Sequence, residues 1–559
     1  MPAAVAVVTL VLRLVVGATG PTDWDSAQYA AAVGHFDVTH GEPQPPGYWL
    51  YVQSGRWLHQ VFGLGTIHSL VLVAALASAL AAGLTAWAGR DLGGRWVGLA
   101  AGLVIAASPF AWFSGSIVAT YSFDMVAASL LIILAWRARP GSWHGVAAVV
   151  ALGFLAGFRP SMGQELALLA LIPVVGSTRT WGRLVVTLTA GAASVGLWLV
   201  PLAIEQPGGL STWIQATRIE TIGAERSTSV LDHAAGGPGN LGTFAAYTVL
   251  ALGPLALLTL VAVLALVVRR GVARHRGGPD RRPSVGRAGP GWDGPGRRPW
   301  YQWRAAILTA AIVPPMLVVS LIEFAKGGYL LAYLPGAVIA LLLPLGALNR
   351  RSARSGRGAS PWLVLTSVGI VLVVALGAQR FISGDGVLPA RFLESSGWLW
   401  LDQPRYQAPY TDTRSAIRTA DATDAALRAL TPLLRSRTDV VLFDAVDGGP
   451  DIYRNAGWEQ PDVRIAMVAP GQVAYNQLHG ALYYASGDTV PVRPGGTVLL
   501  VASPALPGLS GLIATGQAQA VRTPLPITGF QVWRILPGTS ILGVRTVTST
   551  VPPDLGTGI

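Results

Sequence analysis

The sequence predicts a polytopic α-helical membrane protein of about eleven transmembrane helices, with a C-terminal α/β domain outside the membrane. Three observations predict it. The 559-residue chain is 52% hydrophobic and 12% charged, with a mean hydropathy of +0.49, where soluble domains carry roughly 25% charged residues. Apolar runs of about membrane-crossing length follow one another as far as residue 380. Basic and acidic residues alternate between successive loops instead of mixing. Cysteine is absent, which excludes disulfides and thiolate metal sites.

The first apolar run, 3–19, reads as a transmembrane helix. A secretory signal peptide is the competing reading of Ala3–Ala18, but the stretch has no basic start and carries Arg13 inside its apolar run. Further helices are expected at 66–88, 96–111, 120–137, 145–158, 163–177, 184–204, 241–268, 305–322, 329–348 and 362–379. The pair 145–158 and 163–177 is short, so its boundaries are the least defined.

The loops orient these helices. Arg90 and Arg95, Arg137 and Arg139, Arg179 and Arg183, and Arg350, Arg351, Arg354 and Arg357 all fall on one side. So does the stretch 269–304, where ten arginines face Asp280 and Asp293; its Gly and Pro content reads as a disordered linker. The opposite loops hold Asp23, Asp25, Asp37, Glu42, Glu205, Glu220, Glu225, Asp232 and Glu323. The positive-inside rule then places the N-terminus in the cytoplasm and the C-terminus outside a plasma (inner) membrane. Most of the net charge of +12 is therefore an orientation signal, which argues against a nucleic-acid partner.

Two domains are expected: a membrane domain over 1–380, with its first external loop at 20–65, and an external soluble domain over 381–559. A helical pattern covers 416–436. Val440–Phe443, Val463–Val468, Thr497–Val501, Gln531–Leu536 and Ile541–Val547 read as short strands. Helix and strand in alternation predict an α/β fold. Asp444, Asp447 and Asp451 follow the first strand and read as solvated turn residues.

The external face gathers the reactive groups. The first loop opens with Asp23-Trp24-Asp25-Ser26-Ala27-Gln28-Tyr29, continues through His35, Asp37, His40 and Glu42, and reaches Gln44-Pro45-Pro46-Gly47-Tyr48-Trp49. Arg159 lies in the turn Gly157–Ser161. The 205–240 loop holds Arg218, Arg226, Asp232 and His233, and Lys326 and Tyr329 occupy a short turn. Carboxylates on one loop and cations on three others equip a surface for displacing a phosphate leaving group. Cations hold the phosphate while a carboxylate deprotonates the attacking group. Lys326, the only lysine, together with Arg159 and Arg226, is the candidate phosphate set. Tyr29, His35 and Tyr329 are candidates for substrate contact.

Each residue also has an ordinary structural role. For Asp23 and Asp25 that role is a helix N-cap, and Asp25 followed by Gln28 has capping-box spacing with Asp as the cap. The spacing of His35, Asp37, His40 and Glu42 matches no particular metal site. Arg159 can anchor a helix end. Ser211–Arg226 reads as an amphipathic helix on the membrane surface with solvated charges.

The acidic motif opening the first external loop, Pro45-Pro46-Gly47-Tyr48, about eleven helices and an external C-terminal domain together resemble the GT-C superfamily of integral-membrane glycosyltransferases. The nearest branch includes the protein O-mannosyltransferases and lipid A aminoarabinose transferases. There the motif reads Asp-Glu-x-x-Tyr or similar, and Asp25-x-x-x-Tyr29 matches it, with Ser26 where an acid often follows. Gln44 stands where the family often has His or Lys, so no charged role carries over to that position. The resemblance covers roughly 1–380. It implies transfer of a sugar from a polyprenyl-phosphate donor to a glycan, lipid or protein acceptor on the outer side of the membrane, with Asp25 as general base. It also implies inversion at the anomeric carbon and neutralisation of the departing phosphate by Lys326, Arg159 and Arg226. Asp23-x-Asp25 makes the Asp-x-Asp pattern that other branches link to a divalent metal, so Asp23 and Asp25 are candidate ligands for Mg2+ or Mn2+.

Two other classes remain at this stage. One is a transporter or flippase for a lipid-linked or anionic substrate, although no internal repeat is evident and the intramembrane ionisable residues are few: Arg13, Asp124 and Glu165. The other is a non-catalytic assembly subunit whose external domain binds partners.

Overall fold

The structure is a computed structural model. It describes residues 1–231, 237–276, 300–322, 326–353 and 361–383 of the helical part. In the C-terminal part it describes 413–430, 438–444, 456, 464–469, 483–527 and 529–549.

Each expected membrane segment falls on a helix: α1 Pro2–Val15, α4 Thr66–Gly93, α5 Arg95–Ala107, α7 Ser122–Arg137, α8 His144–Leu155, α10 Ala167–Ser177, α11 Trp181–Glu205, α13 Gly237–Arg276, α14 Trp300–Leu321, α15 Leu334–Ala353 and α16 Pro361–Ser383. Five stretches are long and apolar enough to cross a membrane: Thr66–Gly93, Trp181–Glu205, Phe244–Leu264, Trp303–Leu321 and Trp362–Ser383. Pro2–Val15, Arg95–Ala107, His144–Leu155, Ala167–Ser177 and Leu334–Asn349 are apolar but shorter. Val185, Leu188, Leu197 and Val200 on α11, and Val364, Val368, Val371 and Leu372 on α16, are exposed. Such apolar belts suit a hydrocarbon surround.

Where helices bury against each other, small residues let backbones approach. A Cβ at Gly98 would lie 2.4 Å from the Ala86 carbonyl oxygen, and one at Gly102 2.8 Å from the Ala86 side chain, so α5 packs directly on α4. Helix α5 stops at Ser108, and Pro109 opens the short helix α6 (Pro109–Ser114); proline lacks the N–H that would continue the ladder. Helix α13 runs on to Arg276. The basic linker expected from 269 therefore begins with helix, and 277–299 lie outside the described residues.

The first loop is itself helical. It forms α2 (Trp24–Gly34), a 3-10 turn at Val38–His40 and α3 (Trp49–Phe62). The Pro45–Pro46 turn is closed by Gly47 N–H donating to the Gln44 carbonyl (3.0 Å). Trp213, on helix α12 (Gly209–Thr228), donates its indole N–H to the Pro46 carbonyl (2.8 Å). Glu205 locks α3 to α11 by accepting from Trp49 (2.7 Å), Gln53 (2.8 Å) and Arg56 (2.5 Å).

The C-terminal part combines helix α17 (Arg414–Ala429) with a six-stranded mixed sheet. Its central strand Thr438–Asp444 pairs in parallel with Ile465–Ala469 and with Thr497–Ala502. Beyond these, Gln531–Ile535 runs antiparallel to Thr497–Ala502. The final strand, Val544–Thr548, belongs to a separate three-stranded sheet. Asp444 ends its strand buried at 1% exposure, so it is not the solvated turn residue expected; Asp447 and Asp451 lie outside the described residues.

Candidate active site

The segment 16–23 leaves α1 and enters α2 through a side-chain cap. Asp23 is in extended backbone, and its Oδ1 accepts from Ser26 N–H (2.9 Å) and Ser26 Oγ (2.6 Å). The cap is therefore Asp23 with Ser26 at the third helical position. The expected pairing of Asp25 with Gln28 does not form the cap, because the helix starts one residue before Asp25. That start puts Asp25 in the first turn of α2 beside Asp23, on the side facing the turn before α15.

From that turn Lys326 reaches in. Its Nζ donates to Asp23 Oδ2 (2.5 Å) and to Asp25 Oδ2 (2.6 Å). The three charges line a cleft whose enclosed cavity is about 70 Å³. Tyr29, Phe113, Ile117, Val118 and Tyr121 form much of its remaining wall, and Ala416 of α17 contributes from the C-terminal part. Gly328 lets the lysine turn close: a Cβ there would sit 2.3 Å from the Tyr121 ring.

The two carboxylates are held differently. For Asp23, burial would raise the pKa, but the Lys326 charge and the hydrogen bonds from Lys326 and Ser26 bring it below the usual carboxylate range. For Asp25, burial and then the neighbouring Asp23 charge outweigh Lys326 and Arg159, so its pKa is raised. Lys326 is opposed by burial, yet the two carboxylates hold its pKa well above the ordinary lysine value. Burial lifts the Tyr29 phenol as well, which keeps its hydroxyl neutral. One acid is thus fixed as an anion that orients the loop, and the other is the more basic.

Arg159 sits behind the wall and does not line the cleft. It is buried at 3% exposure and paired with Asp124 (2.9 Å). Its guanidinium lies 4.3 Å from the Tyr121 ring centroid and 5.0 Å from that of Tyr329. Tyr329 is accordingly a packing partner of Arg159 and Tyr121, outside the lining. His35 points away, to Glu42 (2.9 Å), and Asp37 is engaged by His40 (2.6 Å) and Gln206 (2.8 Å). Arg226 is exposed on α12 and does not line the cleft. Asp232, His233 and Glu323 lie outside the described residues.

The donor set does not fit a resident Mg2+ or Mn2+. The Lys326 ammonium holds the position between Asp23 and Asp25, and no group of three or more His, Cys, Asp or Glu among the described residues is arranged to hold a metal. Sequence reasoning missed Tyr121, Val118 and the Asp124–Arg159 pair. Only the pair had a signal: opposite charges in apolar sequence seek each other.

No known sequence family matches the chain, and no curated protein does either. Among solved structures the chain is similar to ArnT from Cupriavidus metallidurans bound to undecaprenyl phosphate: 14% identity, 95% of this chain and 97% of that one, TM-score 0.49. The apo state of the same protein gives 14% identity, the same coverage and a TM-score of 0.47. An Archaeoglobus fulgidus oligosaccharyltransferase, tethered to an acceptor peptide containing the NVT sequon, gives 10% identity over 83% of this chain and 63% of that one, TM-score 0.37. None of these scores reaches 0.5, so the chemistry rests on the cleft itself.

Proposed function

We propose that the chain is a membrane glycosyltransferase that moves a sugar from a polyprenyl-phosphate donor to an acceptor hydroxyl on the extracytoplasmic face. The observation that carries this reading is the Asp23–Lys326–Asp25 cluster at the wall of a cleft, one lysine shared by an oriented carboxylate and a more basic one. The division of arginines and acids between loops supports the assignment of the cleft to the outer face.

The reaction is a single displacement. The acceptor oxygen bonds to the anomeric carbon as the bond from that carbon to the phosphate oxygen breaks. Asp25 takes the acceptor's proton, and the electron pair leaves with the lipid phosphate. Lys326 swings from the carboxylates toward that phosphate and neutralises its developing charge, which also frees Asp25 to act as the base. Asp23 stays anchored to Ser26 and holds the turn. Tyr29, a neutral phenol on the cleft wall, offers a hydrogen bond to the sugar or acceptor. Arg159 supports the Tyr121 ring of the wall electrostatically from behind, with Tyr329 packed beside it. His35 and Arg226 take no part in this cleft. The lipid reaches the cleft laterally, so no nucleotide-sugar site is required.

Asp25→Asn tests this in proteoliposomes supplied with polyprenyl-phosphate sugar. Transfer falls at least about 100-fold while the lipid phosphate still binds. Full activity in this variant would remove Asp25 from the base role.

A further inference from the structure

We infer that Asp421 is a positioning residue for the carboxylate pair, and that the C-terminal part thereby sets the geometry of the cleft; its catalytic consequence rests on the glycosyl-transfer reading above. Between the end of α1 at Val15 and the start of α2 at Trp24, backbone groups need partners from elsewhere. One oxygen, Asp421 Oδ1, accepts from both Thr19 N–H (2.8 Å) and Gly20 N–H (3.0 Å). These amides lie three and four residues before Asp23. On the other side, Ala18 N–H donates to the Ser116 carbonyl (2.8 Å), and Ile117 and Val118 next to it line the cleft.

The close approach is built into the sequence. A Cβ at Gly20 would come within 2.6 Å of Asp424, one turn along α17, so only glycine lets the helix lie on this backbone. Asp424 is itself held by Arg428 (2.7 Å). Trp24, between the two acids, packs against the apolar cluster that includes Ala426 and Leu427. Ala416 of the same helix lines the cleft. Helix α17 therefore grips the chain just before Asp23 through the amides of 19–20, and the apolar cluster it shares with the sheet receives Trp24 just after.

The test uses the full-length protein with Asp421→Ala and Asp421→Asn. Asparagine keeps an Oδ1 that accepts both N–H groups, and alanine does not. Hydrogen exchange of the peptide containing Thr19 and Gly20 reads the contact without any activity. It accelerates at least about tenfold in Asp421→Ala and stays at the parent rate in Asp421→Asn, with α4 unchanged in both. In the transfer assay, kcat of Asp421→Ala falls by about 10- to 100-fold, the effect of misplacing a reacting group, while KM for the lipid donor stays within about twofold. Asp421→Asn restores kcat. Unchanged exchange in Asp421→Ala, or equal defects in both variants, would overturn the inference. Faster exchange with a parent protein inert in transfer would uphold the contact and remove the enzymatic reading alone. Should Asp421→Ala fail to fold, Gly20→Ala displaces α17 from the opposite side, and the same rise in exchange is expected; its absence counts against the inference.

Discussion

Removing the positive charge of Lys326 and removing the negative charge of Asp23 should move the same pH profile in opposite directions. On the proposed reading Asp25 acts only as the carboxylate, and its pKa is raised above the ordinary carboxylate value. Transfer by the parent protein therefore rises with pH through that raised pKa. Lys326 lowers the Asp25 pKa and Asp23 raises it. Lys326→Met must then shift the acid limb to higher pH, and Asp23→Asn must shift it to lower pH. The rate effect is set by the scale of one adjacent charge pair. Two unit charges about 4 Å apart interact by about 4 kcal/mol at an effective dielectric of about 20. Lys326 and Asp25 are 24% and 27% exposed, and solvent at the mouth of the cleft screens roughly half of this. On the proposed reading, an interaction of about this size, about 2 kcal/mol, is gained by the ammonium only as charge develops on the leaving phosphate. Its loss in Lys326→Met costs about 30-fold in kcat at the pH optimum. The assay is the initial rate of sugar transfer across pH in proteoliposomes, with melting temperatures measured alongside. Acid limbs that move the same way in both variants, or an unshifted limb in Lys326→Met, would refute the electrostatic assignment.

Arg159→Leu leaves Asp124 buried without its cation and should destabilise the protein by about 3–5 kcal/mol; adding Asp124→Asn should recover much of that loss, and thermal unfolding in detergent measures both. If the double variant were no more stable than the single one, the pair would not be the reason Arg159 is buried. Gly328→Ala drives a methyl into the Tyr121 ring, 2.3 Å away, and should cost about 1–3 kcal/mol, with transfer reduced because Lys326 is displaced. Ser26→Ala removes the hydroxyl that donates to Asp23 but keeps the amide. It should lower stability by about 1 kcal/mol and slow transfer less than Asp25→Asn does. An equal loss in the two would merge the roles of Asp23 and Asp25.

Much of this protein was legible in the sequence because its signals are local or periodic. Apolar runs located the helices, since a hydrocarbon surround demands internally satisfied backbone and apolar side chains. Alternation of helix and strand anticipated the α/β C-terminal part. The first loop advertised Asp23 and Asp25, and Lys326 stood out as the only lysine. Local spacing misled in part at the helix cap: Asp23 and Asp25 both read as caps and the Asp25–Gln28 spacing pointed to the second, but the start of α2 is fixed by Ser26 donating to Asp23. It also misled for Arg226 and His35, whose charge marked them as candidates although neither lines the cleft.

The tertiary structure decided what depends on distance in space. Lys326 lies about 300 positions along the chain from the two acids it bridges, and no periodicity links them. Which of two nearby acids is more basic follows from burial and from Asp23's hydrogen bonds, not from residue type. Arg159 reads as a phosphate ligand until Asp124 is seen against it. Asp421 has no motif at all, and its role exists only because α17 folds back onto Thr19 and Gly20. The sequence by itself determined the helices, the membrane character and the acids that open the first loop, because hydropathy and residue chemistry act over short spans of chain. Only the tertiary structure decided the partners of each charge, because ion pairing and desolvation are set by packing between distant segments.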